Sequence, residues 1–161
     1  MRRKTIEDYA ELLYDLQKEK ELVHTNDVAF ALNITPASVT EIFQKLSNER
    51  IINYKKYSGV TLTKKGKKIA ISTKKRHDTL KKFLMILGID KKIANMDACK
   101  IEHVVNSVTM EKLTRFVEFV QLFKDDIRWL DHFKYFCETG EYIECSLKDS
   151  NECPFYKRKK S

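Results

Sequence analysis

Hydrophobic residues recur at helical spacing over most of the chain, which predicts amphipathic helices. The first helix is predicted from a cap at Thr5 to about Glu19. A short second helix is predicted from a cap at Thr25. The Thr35–Pro36 pair starts a third helix, which ends near Arg50, because threonine caps helices and proline favours the first helical position.

Two short extended runs follow, at residues 51–55 and 60–63, with the turn residues Tyr57, Ser58 and Gly59 between them. They predict a β-hairpin. The pattern then becomes helical again, and Gly88 ends the first long stretch as a C-terminal glycine. Helices are predicted over residues 63–87, 91–106 and 109–123, and again after Asp125.

This order of elements predicts a mainly α fold with a small β-hairpin. Helix, short helix, turn, helix and hairpin is the order of a winged helix-turn-helix, and an all-helical domain follows it. We place the winged helix-turn-helix at residues 1–70, the helical domain at 71–138 and a short cysteine-containing tail at 139–161. The apolar stripe of Phe116, Phe119, Val120 and Phe123 predicts a dimer interface or domain core.

The distribution of charge along the chain indicates what kind of partner the protein binds. The 161 residues carry 31 Lys and Arg against 23 Asp and Glu, a net charge of +8, and 42% are hydrophobic, enough for a packed core. The stretch from Arg50 to Arg76 holds ten basic residues and no acidic one. Such a block predicts a polyanionic partner, with nucleic acid first, although it is also compatible with a solvated basic surface or protein contact.

Other classes of protein lack their signals here. No run of 18 apolar residues predicts a transmembrane helix, and the basic N-terminus has no apolar segment of a secretory signal after it, so a cytoplasmic protein without membrane contact is expected. The sequence has no nucleotide-binding glycine loop, nucleophile elbow or HExxH motif, so an enzyme is not expected.

The third helix is the predicted recognition helix, because this motif places its last helix in the major groove. Gln44 is a candidate reader of an adenine edge, and small hydroxyls can approach phosphates closely. Lysines after the wing extend the phosphate-neutralising surface. The predicted DNA contacts are Thr35, Ala37, Ser38, Thr40, Glu41, Gln44 and Lys45 on the helix, Lys55, Lys56, Tyr57 and Ser58 on the wing, and Lys64, Lys65, Lys67 and Lys68 beyond it.

Candidate metal ligands lie in three separate places. Asp8 and Glu11 share one face of the first helix, His77 lies in the long helix, and Cys99, Glu102 and His103 share a face of the next one. Together they form a mixed donor set for a divalent first-row metal. Each also has a structural alternative: a helix N-terminal acid at Asp8, a solvent-exposed Glu11, a His77 paired with Asp78 or phosphate, and a small buried apolar Cys99.

The tail holds a second group of candidates, His132, Cys137, Cys145 and Cys153. Seven residues separate each cysteine from the next, unlike the tight CxxC pairs of most zinc sites. This group is compatible with a zinc site, with an iron–sulfur cluster or with a redox-responsive pair of cysteines. It is also compatible with three unlinked thiols that bind nothing.

Several stretches together resemble the diphtheria toxin repressor family, and most closely its manganese transport regulator branch. They cover about three quarters of the chain: TIEDYAE (5–11), PASVT (36–40), QKL (44–46), YKKYSGVTLTKKGKKI (54–69), RH (76–77) and IEH (101–103).

The resemblance implies a homodimer, joined through the helical domain, that represses metal-uptake genes by binding palindromic operator DNA when loaded with Fe²⁺ or Mn²⁺. It also implies that Asp8, Glu11, His77, Glu102 and His103 are ligands. Cys99 departs from the manganese branch, which has glutamate there, and matches the iron-responsive branch. A thiolate shifts the expected preference toward Fe²⁺, with Mn²⁺ close behind. The alternative function is a redox- or iron–sulfur-sensing DNA-binding protein that uses the tail.

Overall fold

A computed structural model describes residues 1–55, 58–122 and 128–142. Seven helices and one antiparallel hairpin form the described part, which confirms the predicted fold class. The elements are α1 (Arg3–Glu19), α2 (Thr25–Leu32), α3 (Pro36–Asn48), β1 (Ile52–Lys55), β2 (Gly59–Leu62), α4 (Lys64–Ile86), α5 (Lys91–Ile101), α6 (Ser107–Leu122) and α7 (Arg128–Thr139).

The first hydrophobic core joins α1, α2, α3 and the hairpin. Leu13, Val39, Phe43 and Leu46 are completely buried in it, and the Phe43 ring meets that of Tyr54 edge-on, with 5.2 Å between centroids. In the register of the hairpin, Ile52 lies opposite Leu62 at one end and Lys55 lies opposite Gly59 at the other. This core packs α3 against the hairpin.

A smaller second core lies among α4, α5 and α6, around Leu80, Ala98 and Met110. The 23-residue α4 belongs to both cores, because Ala70 is buried in the first and Leu80 in the second. A continuous helix therefore connects the winged helix-turn-helix to the helical domain.

Two predicted caps are confirmed and two are wrong. Thr35 accepts a hydrogen bond from the Ser38 amide at 3.2 Å, and Gly88, with φ at 90°, ends α4 as predicted. Thr5, in contrast, lies inside α1, which begins at Arg3 because an Arg3–Glu7 pair extends the helix backward. Thr25 is the first residue of α2 and not its cap.

The fifth helix is shorter than predicted and ends at Ile101 instead of Asn106. Asn106 is used to start the next helix, since its side-chain oxygen accepts from the Val108 amide at 3.0 Å. Arg76 of α4 donates to the Val105 carbonyl and holds the intervening turn. Glu102 and His103 therefore lie at the end of α5 and in this turn.

Candidate metal centre and nucleic-acid interface

The imidazole of His103 lies in a buried polar cluster between α1 and the turn after α5. His103 is 8% exposed to solvent, and Glu102 is 2% exposed. The His103 Nε2 atom lies 3.0 Å from Oδ1 of Asp8 and 3.3 Å from Oε1 of Glu102. Asp8 belongs to the winged helix-turn-helix and Glu102 to the helical domain, so these atoms meet where the two units join.

The second imidazole, that of His77 on α4, lies against the same carboxylate. Its Nδ1 is 2.8 Å from Oε2 of Glu102, and its Nε2 is 3.2 Å from the side-chain oxygen of Asn95. The two oxygens of Glu102 are thus shared between the two histidines. The predicted alternative partners of His77, Asp78 or phosphate, are replaced here by Glu102 and Asn95.

Asp8 and Glu11, on α1, lie close enough to the two histidines for electrostatic interaction. Burial raises the pKa of Asp8 and of Glu11, although His103 and His77 respectively oppose the rise. Burial, followed by the negative charge of Glu11, raises the pKa of Glu102. Burial therefore favours the protonated form of each of these three carboxyl groups by raising its pKa.

Cys99 is exposed on α5, so the alternative of a buried apolar cysteine is wrong. Partial burial of its thiol raises its pKa, and the charges of Glu102, Asp8 and Glu11 add to the rise. All six predicted ligands therefore fall in one neighbourhood, contributed by α1, α4, α5 and the turn after α5.

Carboxylates, imidazoles and a thiol are the chemical types of ligand that a divalent first-row metal accepts. His103 Nε2 is buried and has no hydrogen-bond partner in the described structure, although two carboxylate oxygens are nearby. Buried polar atoms of this kind are uncommon and require a specific explanation. Within the described residues no three His, Cys, Asp or Glu side chains are arranged to hold an ion, since donors such as His77 and Glu102 pair with each other instead.

Sequence reasoning missed Glu7, although it lies beside Asp8. The residue is 7% exposed, and its Oε2 lies 2.8 Å from Nδ1 of His103. Burial alone would raise its pKa, but hydrogen bonds from His103 and Arg3 lower it below the usual value. A glutamate on the apolar face of α1, with an arginine four residues before it, is the signal that could have identified it.

The predicted recognition helix presents its face to solvent. Thr35, Ala37, Ser38, Glu41, Gln44 and Lys45 are exposed and Thr40 is half-buried. The hydroxyls of this face already have partners within the protein. The Thr40 hydroxyl donates to the Pro36 carbonyl at 2.9 Å, and the Thr35 and Ser38 hydroxyl oxygens are 2.9 Å apart. Glu41, Gln44 and Lys45 are therefore the long polar side chains that this face offers.

The wing and the start of α4 add exposed positive charge. Lys55 and Ser58 are exposed, whereas Lys56 and Tyr57 lie outside the described residues. Lys64, Lys65, Lys67 and Lys68 are also exposed, and Lys65 donates to the Glu49 carbonyl at 3.0 Å. This basic surface is continuous in sequence with the wing.

The tail candidates are only partly covered. Cys137 is exposed and His132 is half-buried on α7, whereas Cys145 and Cys153 lie outside the described residues. A metal or redox role for this group stays a prediction, and so do the domain boundaries proposed from the sequence.

Comparisons with known proteins agree with this arrangement. The family described as "Iron dependent repressor, N-terminal DNA binding domain" matches residues 1–60, and "Iron dependent repressor, metal binding and dimerisation domain" matches residues 63–123. The HTH-type transcriptional regulator MntR of Bacillus velezensis is 39% identical over 122 residues, 76% of this chain and 84% of that protein. MntR of Geobacillus thermodenitrificans is 36% identical over 140 residues, 87% of this chain and 97% of that protein.

Solved structures show the same fold. The manganese regulator SloR superposes with a TM-score of 0.62 at 30% identity, over 71% of this chain and 54% of SloR. ScaR with bound Zn²⁺ gives a TM-score of 0.62 at 27% identity, over 71% of this chain and 54% of ScaR. The chain thus spans about half the length of these two structures.

A winged helix-turn-helix joined by one long helix to a helical domain, with acid, imidazole and thiol groups gathered between them, defines a metal-dependent DNA-binding transcriptional regulator. The chain belongs to the iron-dependent repressor family. The family predicted from the sequence is thereby confirmed. The comparisons give no support to an iron–sulfur cluster and do not favour the redox-sensing alternative. No helix in the described part of the chain is both long and apolar enough to cross a membrane.

Proposed function

We propose that the chain is a homodimeric repressor that binds palindromic operator DNA when Fe²⁺ or Mn²⁺ occupies the cluster between its two domains. The observation that carries the proposal is His103 Nε2, a buried nitrogen without a hydrogen-bond partner that faces carboxylates from both domains. The proposed ligands are Asp8, Glu11, His77, Cys99, Glu102 and His103.

A divalent cation would supply the positive charge that lets these carboxylates stay ionised side by side. Asp8 and Glu11 come from the winged helix-turn-helix, and the other proposed ligands come from α4, α5 and the following turn. Ligands on both sides make metal affinity depend on the angle between the domains. The metal then favours the angle at which it binds best, which is how it would control DNA binding.

Exposed apolar side chains support the homodimer. Ile93 and Met96 on α5 are 53% and 54% exposed. Val104 in the turn after α5 is 79% exposed, and Val108 at the start of α6 is 63% exposed. A helical domain with so small a buried core gains stability by covering such surface with a second copy. Two copies would set two recognition helices at the spacing of operator half-sites.

The proposal is tested by fluorescence-anisotropy titration of a candidate palindromic duplex without oxygen. EDTA gives the baseline, and Mn²⁺, Fe²⁺, Co²⁺ and Zn²⁺ are then added in turn at one fixed salt concentration, because phosphate contacts make affinity salt-dependent. We expect at least one metal to raise affinity well above the EDTA baseline. Equal affinity with and without metal would remove the interdomain cluster from the mechanism.

Metal choice is proposed to depend on Cys99. The similar structure SloR is described as a manganese regulator, whereas a thiolate favours softer metals than a carboxylate does. We expect Cys99→Glu to shift relative affinity from Fe²⁺ and Co²⁺ toward Mn²⁺ by roughly tenfold or more, because the loss of even a ligand's outer hydrogen-bond partner costs about that much.

The matched control is Cys99→Ser, which removes the thiolate without adding a carboxylate. It should weaken Co²⁺ binding and remove any sulfur-to-cobalt absorption band without improving Mn²⁺ binding. A metal ranking that is identical in all three proteins would exclude Cys99 from the site.

A further inference from the structure

Glu7 is a buried carboxylate whose two oxygens are both used. Oε2 lies 2.8 Å from Nδ1 of His103, and Oε1 accepts from the Arg3 guanidinium at 2.7 Å. A carboxylate at this depth is stable only when paired and hydrogen-bonded. Its outer partner, Arg3, is 66% exposed at the side chain, so the positive charge sits in solvent while the carboxylate faces inward.

The hydrogen bond to Glu7 determines which nitrogen of the His103 ring carries the proton. An ionised carboxylate only accepts hydrogen bonds, so Nδ1 must be the donor. A neutral imidazole then carries its lone pair on Nε2. That atom is the buried nitrogen without a hydrogen-bond partner, at 3.0 Å from Asp8 and 3.3 Å from Glu102.

The same bond also crosses between the two domains. Glu7 and Asp8 are neighbours on α1, and they approach opposite nitrogens of one ring that belongs to the helical domain. His103 is therefore held from both sides by the winged helix-turn-helix. When a histidine binds a metal through one ring nitrogen, a carboxylate that accepts from the other ring nitrogen orients the ring and raises its basicity.

We propose that Glu7 is a positioning residue that fixes the tautomer and orientation of His103, so that Nε2 is presented to the metal. This inference rests on the proposed function of the cluster and adds a residue to it. Arg3 has a secondary role, because it neutralises the outer oxygen of Glu7 without reaching the ring.

The test compares Glu7→Gln with the unsubstituted chain and with Glu19→Gln, an exposed glutamine substitution on the same helix. Mn²⁺ affinity is measured from the electron paramagnetic resonance signal of free Mn²⁺, and operator binding is measured at saturating Mn²⁺. We expect Glu7→Gln to raise the Kd for Mn²⁺ about 10- to 100-fold, the usual loss on removing such a partner. Operator affinity at saturating Mn²⁺ should recover, and Glu19→Gln should match the unsubstituted chain throughout.

A Kd for Mn²⁺ unchanged by Glu7→Gln would overturn the inference. A loss of operator affinity that saturating Mn²⁺ does not restore would also overturn it, because Glu7 would then act in domain packing. If the unsubstituted chain bound neither Fe²⁺ nor Mn²⁺, both this inference and the proposed function would fail.

A second measurement does not depend on the folding of Glu7→Gln. In the unsubstituted chain labelled with ¹⁵N-histidine and loaded with Zn²⁺, the His103 signals are assigned by their absence from His103→Gln. We expect a protonated Nδ1 and a metal-bound Nε2. The opposite arrangement, with metal on Nδ1, would overturn the role of Glu7.

Discussion

At the scale of single residues, the backbone carbonyl of Ile51 connects the hairpin to α4. It accepts from both the amide and the hydroxyl of Thr63, each at 3.0 Å. Gly66, in the first turn of α4, lies directly against this carbonyl, and a Cβ at that position would be 2.2 Å from the carbonyl oxygen. The start of α4 can approach the hairpin this closely only because residue 66 has no side chain.

Gly66→Ala is therefore expected to destabilise the protein, although alanine is normally the better helix residue by about 0.5–1 kcal/mol. The clash involves backbone and requires α4 to shift, at a cost of about 1–3 kcal/mol. Urea denaturation should show a lower free energy of unfolding. Ser72→Ala on the exposed side of α4 is the control, and a Gly66→Ala protein as stable as this control would contradict the packing argument.

At the scale of elements, the recognition helix depends on how α3 begins. The Thr35 hydroxyl accepts from the Ser38 amide, and Pro36 occupies the first position of the helix. The preceding turn contains Asn33 with φ at 52°, a left-handed conformation that asparagine tolerates better than most residues. These two features set the direction in which the exposed face of α3 points.

Thr35→Ala is expected to lower the free energy of unfolding by about 0.5–2 kcal/mol, the usual cost of removing an N-cap. Thr35→Ser keeps the hydroxyl and should lose little. Denaturant unfolding of both variants tests this, with operator binding measured alongside. If Thr35→Ser were as unstable as Thr35→Ala, the methyl group and not the cap would be responsible.

At the scale of the whole molecule, an ion pair helps to hold α1 against α4. Lys74 lies 2.6 and 2.7 Å from the two oxygens of Asp15, and Lys18 lies 2.9 Å from the first oxygen. Burial would raise the pKa of Asp15, but the hydrogen bonds from Lys74 and Lys18 outweigh it and lower that pKa. The pair is about half exposed, so screening by solvent keeps its contribution small.

Asp15→Asn is expected to lower the free energy of unfolding at pH 7 by less than about 1 kcal/mol. Because the folded-state pKa is depressed, this contribution is present above the ordinary value of 3.8 and is lost as pH falls below it. Denaturation of both proteins between pH 7 and acid should show the difference disappearing in that window. A difference that grew with acidity would contradict the sign of the shift.

The sequence by itself determined the elements and the chemistry they carry. Helical periodicity, the Thr35–Pro36 start and the two extended runs were sufficient for a winged helix-turn-helix, because caps, turns and side-chain periods act over a few residues. The same local rules identified Asp8, Glu11, His77 and Glu102 as candidate metal ligands. They failed where neighbouring contacts competed, as at Thr5, where the Arg3–Glu7 pair extends α1.

Only the tertiary structure decided which of these donors meet. Glu7 and His103 are 96 positions apart, and their contact depends on how α1 packs against α4 and on where α5 ends. No periodicity encodes that distance, because it is set by two hydrophobic cores and the continuous helix between them. For the same reason Glu7 looked like an ordinary helix acid in the sequence and has a buried, doubly bonded carboxylate in the fold.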